Sequence, residues 1–162
     1  MKNVNMGKAI AAGLTGTLVM TTIMVMAPIM GMPKMDIAAM LGSMLAGGPP
    51  APGSFAWIVG LIMHLMIGSV VLSTAYAMIS NHLPTSSPFA KGLIYGVILW
   101  LVAQAMVMPM MGAGLFSSHM PQGLMMAIGS LMGHLIYGAV LGSIYGSQRS
   151  EKPAGHLITL GL

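Results

Sequence analysis

The chain has 162 residues, of which 56% are hydrophobic, and only six are Lys or Arg and two are Asp or Glu. Because charged residues make up about a quarter of an ordinary soluble domain, this composition argues against one, and the net charge of +4 comes without the basic stripe that nucleic-acid binding needs. The sequence contains no cysteine, which excludes disulfides and thiolate metal sites.

The uncharged stretches of the chain predict its membrane spans. No charged residue occurs at 9–33, 37–90 or 92–148, and about 20 apolar residues suffice for a helix to cross the hydrocarbon core of a bilayer. We therefore predict an all-α, polytopic four-helix bundle in the lipid bilayer, a single membrane domain over 1–162 that ends in a short tail at 147–162. The predicted spans are 9–30, 57–80, 92–111 and 123–145.

The positive residues predict the orientation of these spans. Five of the six lie on the side of the two termini: Lys2, Lys8, Lys91, Arg149 and Lys152. Lys34 alone lies on the opposite side. Because cytoplasmic loops carry an excess of Lys and Arg, we expect both termini, and the tail, in the cytoplasm.

Recurring landmarks predict an internal repeat. Residues 26–31 (MAPIMG) close the first span and residues 107–112 (VMPMMG) close the third, so that Pro, Met and Gly recur in one order. The second and fourth spans each carry a histidine followed four residues later by glycine. These patterns predict two tandem two-helix repeats, 9–80 and 92–146, related by a pseudo-two-fold axis along the membrane normal.

The loop between the first two spans carries its own helical pattern. Asp36 can cap a helix whose apolar residues recur at helical spacing: Ile37, Met40, Leu41, Met44 and Leu45. About ten residues are too few to cross a bilayer. The pattern therefore predicts a short interfacial helix in the first outer loop, broken by the Gly- and Pro-rich segment 47–53.

Two histidines within the spans, His64 and His134, are the main candidate site. Each has a small residue four positions away on either side: Gly60, Gly68, Ser130 and Gly138. A histidine in lipid is costly unless it is paired, and small residues let a flat ligand or a neighbouring backbone approach. The pattern predicts His64 and His134 as ligands of haem b or of a transition metal between spans two and four, with the four small residues lining the site. The alternative is that each histidine only bonds an ordinary partner across a tight helix contact.

Methionine is unusually frequent, at 21 residues. Many lie near the ends of spans one and three that precede the outer loops: Met20, Met24, Met26, Met30, Met32, Met35, Met106, Met108, Met110 and Met111. Thioethers suit Cu(I), so Met30, Met108 and Met111 are weaker candidate ligands and a copper path is one hypothesis. The alternative is that methionine serves as a flexible apolar filler.

Gln104 is a polar residue within the third span. An amide that faces lipid is costly, so we predict that Gln104 donates a hydrogen bond to another helix. The alternative is that it lines a polar pathway.

The close of span three at 107–112, the Gly133-His134-Leu135 of span four and the histidine of span two resemble small bacterial inner-membrane proteins related to YagU. The resemblance implies a four-span inner-membrane protein with membrane histidines, and it implies no reaction or substrate.

Three functions remain open. The first is a haem b or metal protein that serves electron transfer or the assembly of a respiratory complex, and the second is an accessory or structural subunit without a cofactor, packed in a larger membrane complex or a homo-oligomer. The third is a transporter of a small solute or of Cu(I), against which stands the lack of a carboxylate within the spans. No nucleophile–base pair, phosphate loop or carboxylate dyad is present, so we expect no independent catalytic activity, and no nucleic-acid partner.

Overall fold

The computed structural model describes residues 4–146, and in that range all of the regular structure is helical. Four helices are long and apolar enough to cross a membrane: span one (Met6–Met30), span two (Phe55–Ile79), span three (Pro88–Met110) and span four (Gly123–Gly146). The prediction of an all-α chain with four apolar spans is confirmed. Lys2 and the predicted tail at 147–162, with Arg149 and Lys152, lie outside the described residues.

Three of the spans are not regular α-helices throughout. Span one is α-helical over Met6–Met26 and a 3₁₀-helix over Ala27–Met30; span two contains Phe55–Met66, a π-helical segment Ile67–Leu72 and Ser73–Ile79; span three contains Pro88–Val102, a π-helical segment Ala103–Val107 and Met108–Met110. Span four is α-helical over Gly123–Gly146. The loops hold the short helix Ile37–Ala46 and a 3₁₀ turn, Leu115–Ser117.

Polar side chains fix where the spans begin. Asn5 accepts the backbone N–H of Lys8 at the start of span one, Ser54 accepts that of Trp57 before span two, and Ser87 accepts that of Ala90 before span three. Such caps satisfy N–H groups that a helix leaves unpaired in its first turn.

Glycines let the spans pack closely in pairs. A Cβ at Gly13 of span one would stand 2.8 Å from the carbonyl oxygen of Gly68 in span two, and Gly92 of span three lies directly against the backbone of Gly138 in span four. Span one also packs along span four. Gly68 and Gly138, each four residues after a histidine, thus both take part in close helix contacts.

Tyrosines fill the half of the bundle nearest the two ends of the described chain. The buried residues there are Ala12, Tyr76, Tyr95, Tyr137 and Leu141. The Tyr137 hydroxyl donates to the carbonyl of Gly68 at 2.6 Å, and that of Tyr95 donates to the carbonyl of Leu72 at 2.7 Å. Both carbonyls belong to the π-helical segment of span two, so hydroxyl groups tie span two to spans three and four.

The start of span one and the end of span four lie together. Lys8 Nζ donates to the carbonyl of Tyr145 at 2.9 Å, which places the two ends of the described chain at one end of the bundle. We call this the terminal end. The opposite end, which carries the loops at residues 31–54 and 111–122, is the loop end.

The short helix Ile37–Ala46 has the predicted cap, since Asp36 accepts the backbone N–H of Ala39 at 2.9 Å. It packs along span two, where Gly60 lies against the carbonyl of Ala38. The Trp57 indole N–H donates to the Asp36 carboxylate at 3.1 Å and holds the start of the short helix on span two.

Candidate functional site

A cavity of about 250 Å³ lies in the loop half of the bundle. All four spans and the short helix line it, and the tyrosine-filled half closes off the terminal end. His64 and His134 both line this cavity. The two residues that the sequence singles out are therefore brought to one space, from spans two and four.

The hydrogen bond of His134 fixes its protonation. Nδ1 lies 2.7 Å from the backbone carbonyl of Ser130, one turn earlier in the same helix, and 3.4 Å from the Ser130 hydroxyl. Because a carbonyl oxygen can only accept, Nδ1 of the neutral ring carries the hydrogen. Nε2 is left with its lone pair.

The hydrogen bond of His64 also fixes which ring nitrogen carries the hydrogen, through the Thr21 hydroxyl of span one. The Thr21 hydroxyl donates to the carbonyl of Thr17 at 2.7 Å, which uses its only hydrogen. His64 Nε2 lies 2.9 Å from that hydroxyl oxygen, so Nε2–H donates to it. In the neutral ring, Nδ1 of His64 then keeps the lone pair.

Both lone-pair nitrogens are free for a ligand. Within residues 4–146 neither His64 Nδ1 nor His134 Nε2 has a hydrogen-bond partner. Both atoms are partly accessible, because the fully buried side-chain atom without a partner in that range is Gln104 Nε2. A histidine whose other nitrogen donates to a fixed oxygen is the usual arrangement for a metal ligand.

Besides the two histidines, methionine side chains with thioether sulfur line the cavity. Six methionines contribute to it: Met20, Met24, Met35, Met40, Met108 and Met111. They come from span one, the connection after it, the short helix, span three and the first residue after span three. The predicted candidates Met108 and Met111 are among them, whereas Met30 is 75% exposed and lies outside the cavity.

The model of a family of unknown function, DUF6789, matches residues 3–155. The chain belongs to the DUF6789 family. No curated protein and no solved structure matches.

The small residues predicted to flank the histidines divide into two groups in this DUF6789 protein. Gly68 and Ser130 line the cavity beside the histidines. Gly60 instead packs on the short helix and Gly138 packs on Gly92 of span three, both outside the lining. These two glycines bring helices together.

Thr21 is a functional candidate that the sequence does not single out. Its hydroxyl orients His64, yet in the sequence it is one of four threonines in span one. Thr21 follows Thr17 by four residues, which is the spacing at which a threonine hydroxyl can bond to a backbone carbonyl one turn earlier in the same helix. The partner on span two depends on the rotation of one helix against the other, which the sequence does not give.

Gln104 behaves differently from the prediction. The residue is completely buried, in the π-helical segment of span three, and its Oε1 accepts the Ser117 hydroxyl at 3.1 Å. Its Nε2 has no partner among the described residues. The amide thus receives a bond from the loop 111–122, and the expected donation to another helix is not seen.

Residues 4–146 of this DUF6789 chain hold no group of three or more His, Asp or Glu side chains placed to bind a metal. The lining side chains able to bind a metal are the two imidazoles and the methionine thioethers. Those are all neutral ligands, and they are soft or intermediate in character.

Proposed function

We propose that this chain is an integral protein of the bacterial inner membrane that binds copper(I) between His64 and His134. The main support for this proposal is that the two imidazoles, from spans two and four, line one cavity and each keep a lone-pair nitrogen free. Bound copper would be held for delivery to a respiratory complex or for passage across the membrane.

The hydrogen-bonding state of the lining favours a cation as the ligand. The Thr17 hydroxyl donates to the carbonyl of Gly13, and the Tyr137 hydroxyl donates to that of Gly68. The two histidine N–H groups are also used within the protein. Apart from the Ser130 hydroxyl, the polar side chains of the lining therefore offer electron pairs, which attract a cation and repel an anion.

Charge favours copper(I) over a divalent ion. The lining has two imidazoles and six thioethers and contains no carboxylate, so it cannot neutralise a bound ion. The cost of placing an ion in a medium of low dielectric constant rises with the square of its charge, which makes a divalent ion about four times as costly as a monovalent one. Copper(I) is monovalent and prefers thioether and imidazole ligands.

Haem b is the other ligand that two histidines lining one cavity suit, because they would take the two axial positions of its iron. The carboxylates of haem call for nearby cations, and the cavity lining contains neither Lys nor Arg. Lys34, at the loop end, is exposed and lies outside the cavity. These facts favour copper(I).

The proposal includes the architecture around the site. We place the loop end outside the cytoplasm, the terminal end in it, and the short helix at the outer membrane interface. The distribution of lysines supports this orientation, since Lys8 and Lys91 lie at the terminal end and Lys34 lies at the loop end. The two helix pairs are proposed to be tandem repeats, supported by the close contacts of Gly68 with span one and of Gly138 with span three.

Copper binding by the purified protein tests the proposal. We expect one copper(I) per chain in anaerobic competition with a chromophoric copper(I) chelator. His64→Ala and His134→Ala should each weaken binding by about 100-fold or more, because loss of a ligand costs more than the 10- to 100-fold typical of losing a partner that orients it. His82→Ala, an exposed histidine away from the cavity, should bind as the wild type does. If protein expressed with haem supplied shows a Soret band, the ligand is haem b and the copper(I) proposal is wrong. A wild type that takes up neither would favour the accessory subunit.

A further inference from the structure

Span four has two glycines whose missing side chains leave room for methionines. Gly133 precedes His134, and Gly129 lies one turn nearer the loop end. The sulfur of Met24 lies 3.2 Å from the position that a Cβ would take at Gly133, and the sulfur of Met35 lies 3.5 Å from the corresponding position at Gly129. Two thioethers therefore stand against successive turns of the helix that carries His134.

The spacing of these sulfurs follows from the helix. Four residues of an α-helix rise about 6 Å, so Met35 and Met24 mark two levels, one above the other, on the way to His134. Both also line the cavity. The methyl group of Met32 lies 3.1 Å from the Cβ position at Gly129, so a third methionine, on the connection to the short helix, meets the same turn.

On the side of the histidines towards the terminal end, tyrosine side chains fill the bundle. Tyr137 forms the wall of the cavity towards the terminal end, and Tyr76 and Tyr95 pack behind it with ring centroids 5.2 Å apart. The hydroxyls of Tyr137 and Tyr95 are bonded to the backbone of span two. An ion that came from the terminal end would have to part this cluster.

We infer that Met35 and Met24 form an entry route along which copper(I) passes from the loop end to His64 and His134. This inference rests on the proposed function. It adds the end of the bundle from which copper(I) enters and the two residues, Met35 and Met24, that pass it on. Passage is an exchange of ligands in which the ion leaves one thioether for the next and then for imidazole nitrogen. Copper stays monovalent, and no electron or proton is transferred.

Methionine suits a route better than a storage site. A thioether is a neutral ligand on a flexible chain, so it can accept a soft ion and follow it over a short distance. The absence of a Cβ at Gly129 and Gly133 leaves the two side chains next to the helix that carries the final ligand.

The rate of copper loading separates a route from a binding site. The full-length protein in nanodiscs is mixed with a chromophoric copper(I)–chelator complex, and the transfer of copper is followed by stopped flow; the affinity is measured at equilibrium. In Met24→Leu/Met35→Leu, which removes both sulfurs at nearly constant volume, we expect loading to slow about tenfold or more with the affinity within about threefold of the wild type. The matched control is Met26→Leu/Met44→Leu, since both residues are exposed and outside the cavity.

A second variant closes the route without removing a sulfur. Gly129→Leu would place a side chain where the flexible ends of Met32 and Met35 now lie, and we expect it also to load slowly at an unchanged affinity. Equal loading rates in the double variant and its control would overturn the route while leaving the copper site in place. A loss of affinity in the double variant would overturn it too, because the two sulfurs would then be ligands. A wild type that binds no copper(I) would remove the proposed function and the route together.

Discussion

The imidazole of His134 donates its Nδ1–H to the backbone carbonyl of Ser130 at 2.7 Å, within one helix. Because the acceptor is a backbone atom one turn away, the ring orientation is set by span four itself. His64 depends instead on another helix, since its acceptor is the Thr21 hydroxyl of span one. The two halves of the proposed site therefore differ in how they can be disturbed by substitution.

Replacement of Thr21 by valine should weaken copper(I) binding at the proposed site without removing a ligand. The substitution takes away the oxygen that accepts His64 Nε2–H, and loss of such an orienting partner lowers metal affinity typically 10- to 100-fold, by the order of magnitude known for other sites. Copper(I) competition measures the effect. Thr22→Val is the matched control, because the Thr22 hydroxyl bonds only to the carbonyl of Leu18 on an exposed face. Equal affinities for the two variants would contradict the role of Thr21.

The Tyr137 hydroxyl should contribute to stability through its bond to span two. Tyr137→Phe leaves the carbonyl of Gly68 without this donor in a buried place, so we expect the free energy of unfolding to fall by about 1–3 kcal/mol. Unfolding in mixed micelles measures it. Tyr145→Phe serves as the control, because Tyr145 is only partly buried and its ring packs edge-on to Tyr76. A loss of the same size in both variants would mean that the bond adds nothing.

The sequence predicts the spans well because that prediction needs only composition along the chain. The uncharged stretches mark all four spans, and Asp36 followed by apolar residues at helical spacing marks the short helix. The partner of His64 and the position of Met35 depend on how helices are rotated and how a loop folds back. Those features arise from contacts between distant segments, and a single sequence does not state them.

Close contact at Gly138 should make this position intolerant of side chains. A Cβ there would meet the backbone of Gly92, which cannot move without shifting span three, and such overpacking costs typically about 1–3 kcal/mol or more. We expect Gly138→Leu to lower the melting temperature in detergent more than Gly146→Leu does, because Gly146 ends span four and meets the Pro88 ring. Gly7→Leu, at an open position, should be tolerated. Equal tolerance at 138 and 7 would rule out the close contact.

The bond between Ser117 and Gln104 should hold the loop 111–122 on span three. Ser117→Ala leaves both polar ends of the Gln104 amide buried and unpaired, and we expect a loss of about 1–3 kcal/mol in the free energy of unfolding. The double variant Gln104→Leu/Ser117→Ala removes both partners and should recover much of that loss. The measurement is a double-mutant cycle on unfolding in mixed micelles. Additive losses would show that the two side chains act independently.

The two ends of the bundle should lie on opposite sides of the membrane. The chain has no cysteine, so single cysteines can be introduced without altering the background. Ser118→Cys at the loop end and Asn81→Cys at the other end replace exposed residues. In spheroplasts we expect a membrane-impermeant maleimide to label Ser118→Cys at once and Asn81→Cys only after lysis, because Lys8 and Lys91 lie at the terminal end and Lys34 lies at the loop end. Labelling of Asn81→Cys alone would invert the orientation, and labelling of both before lysis would refute the four-span topology.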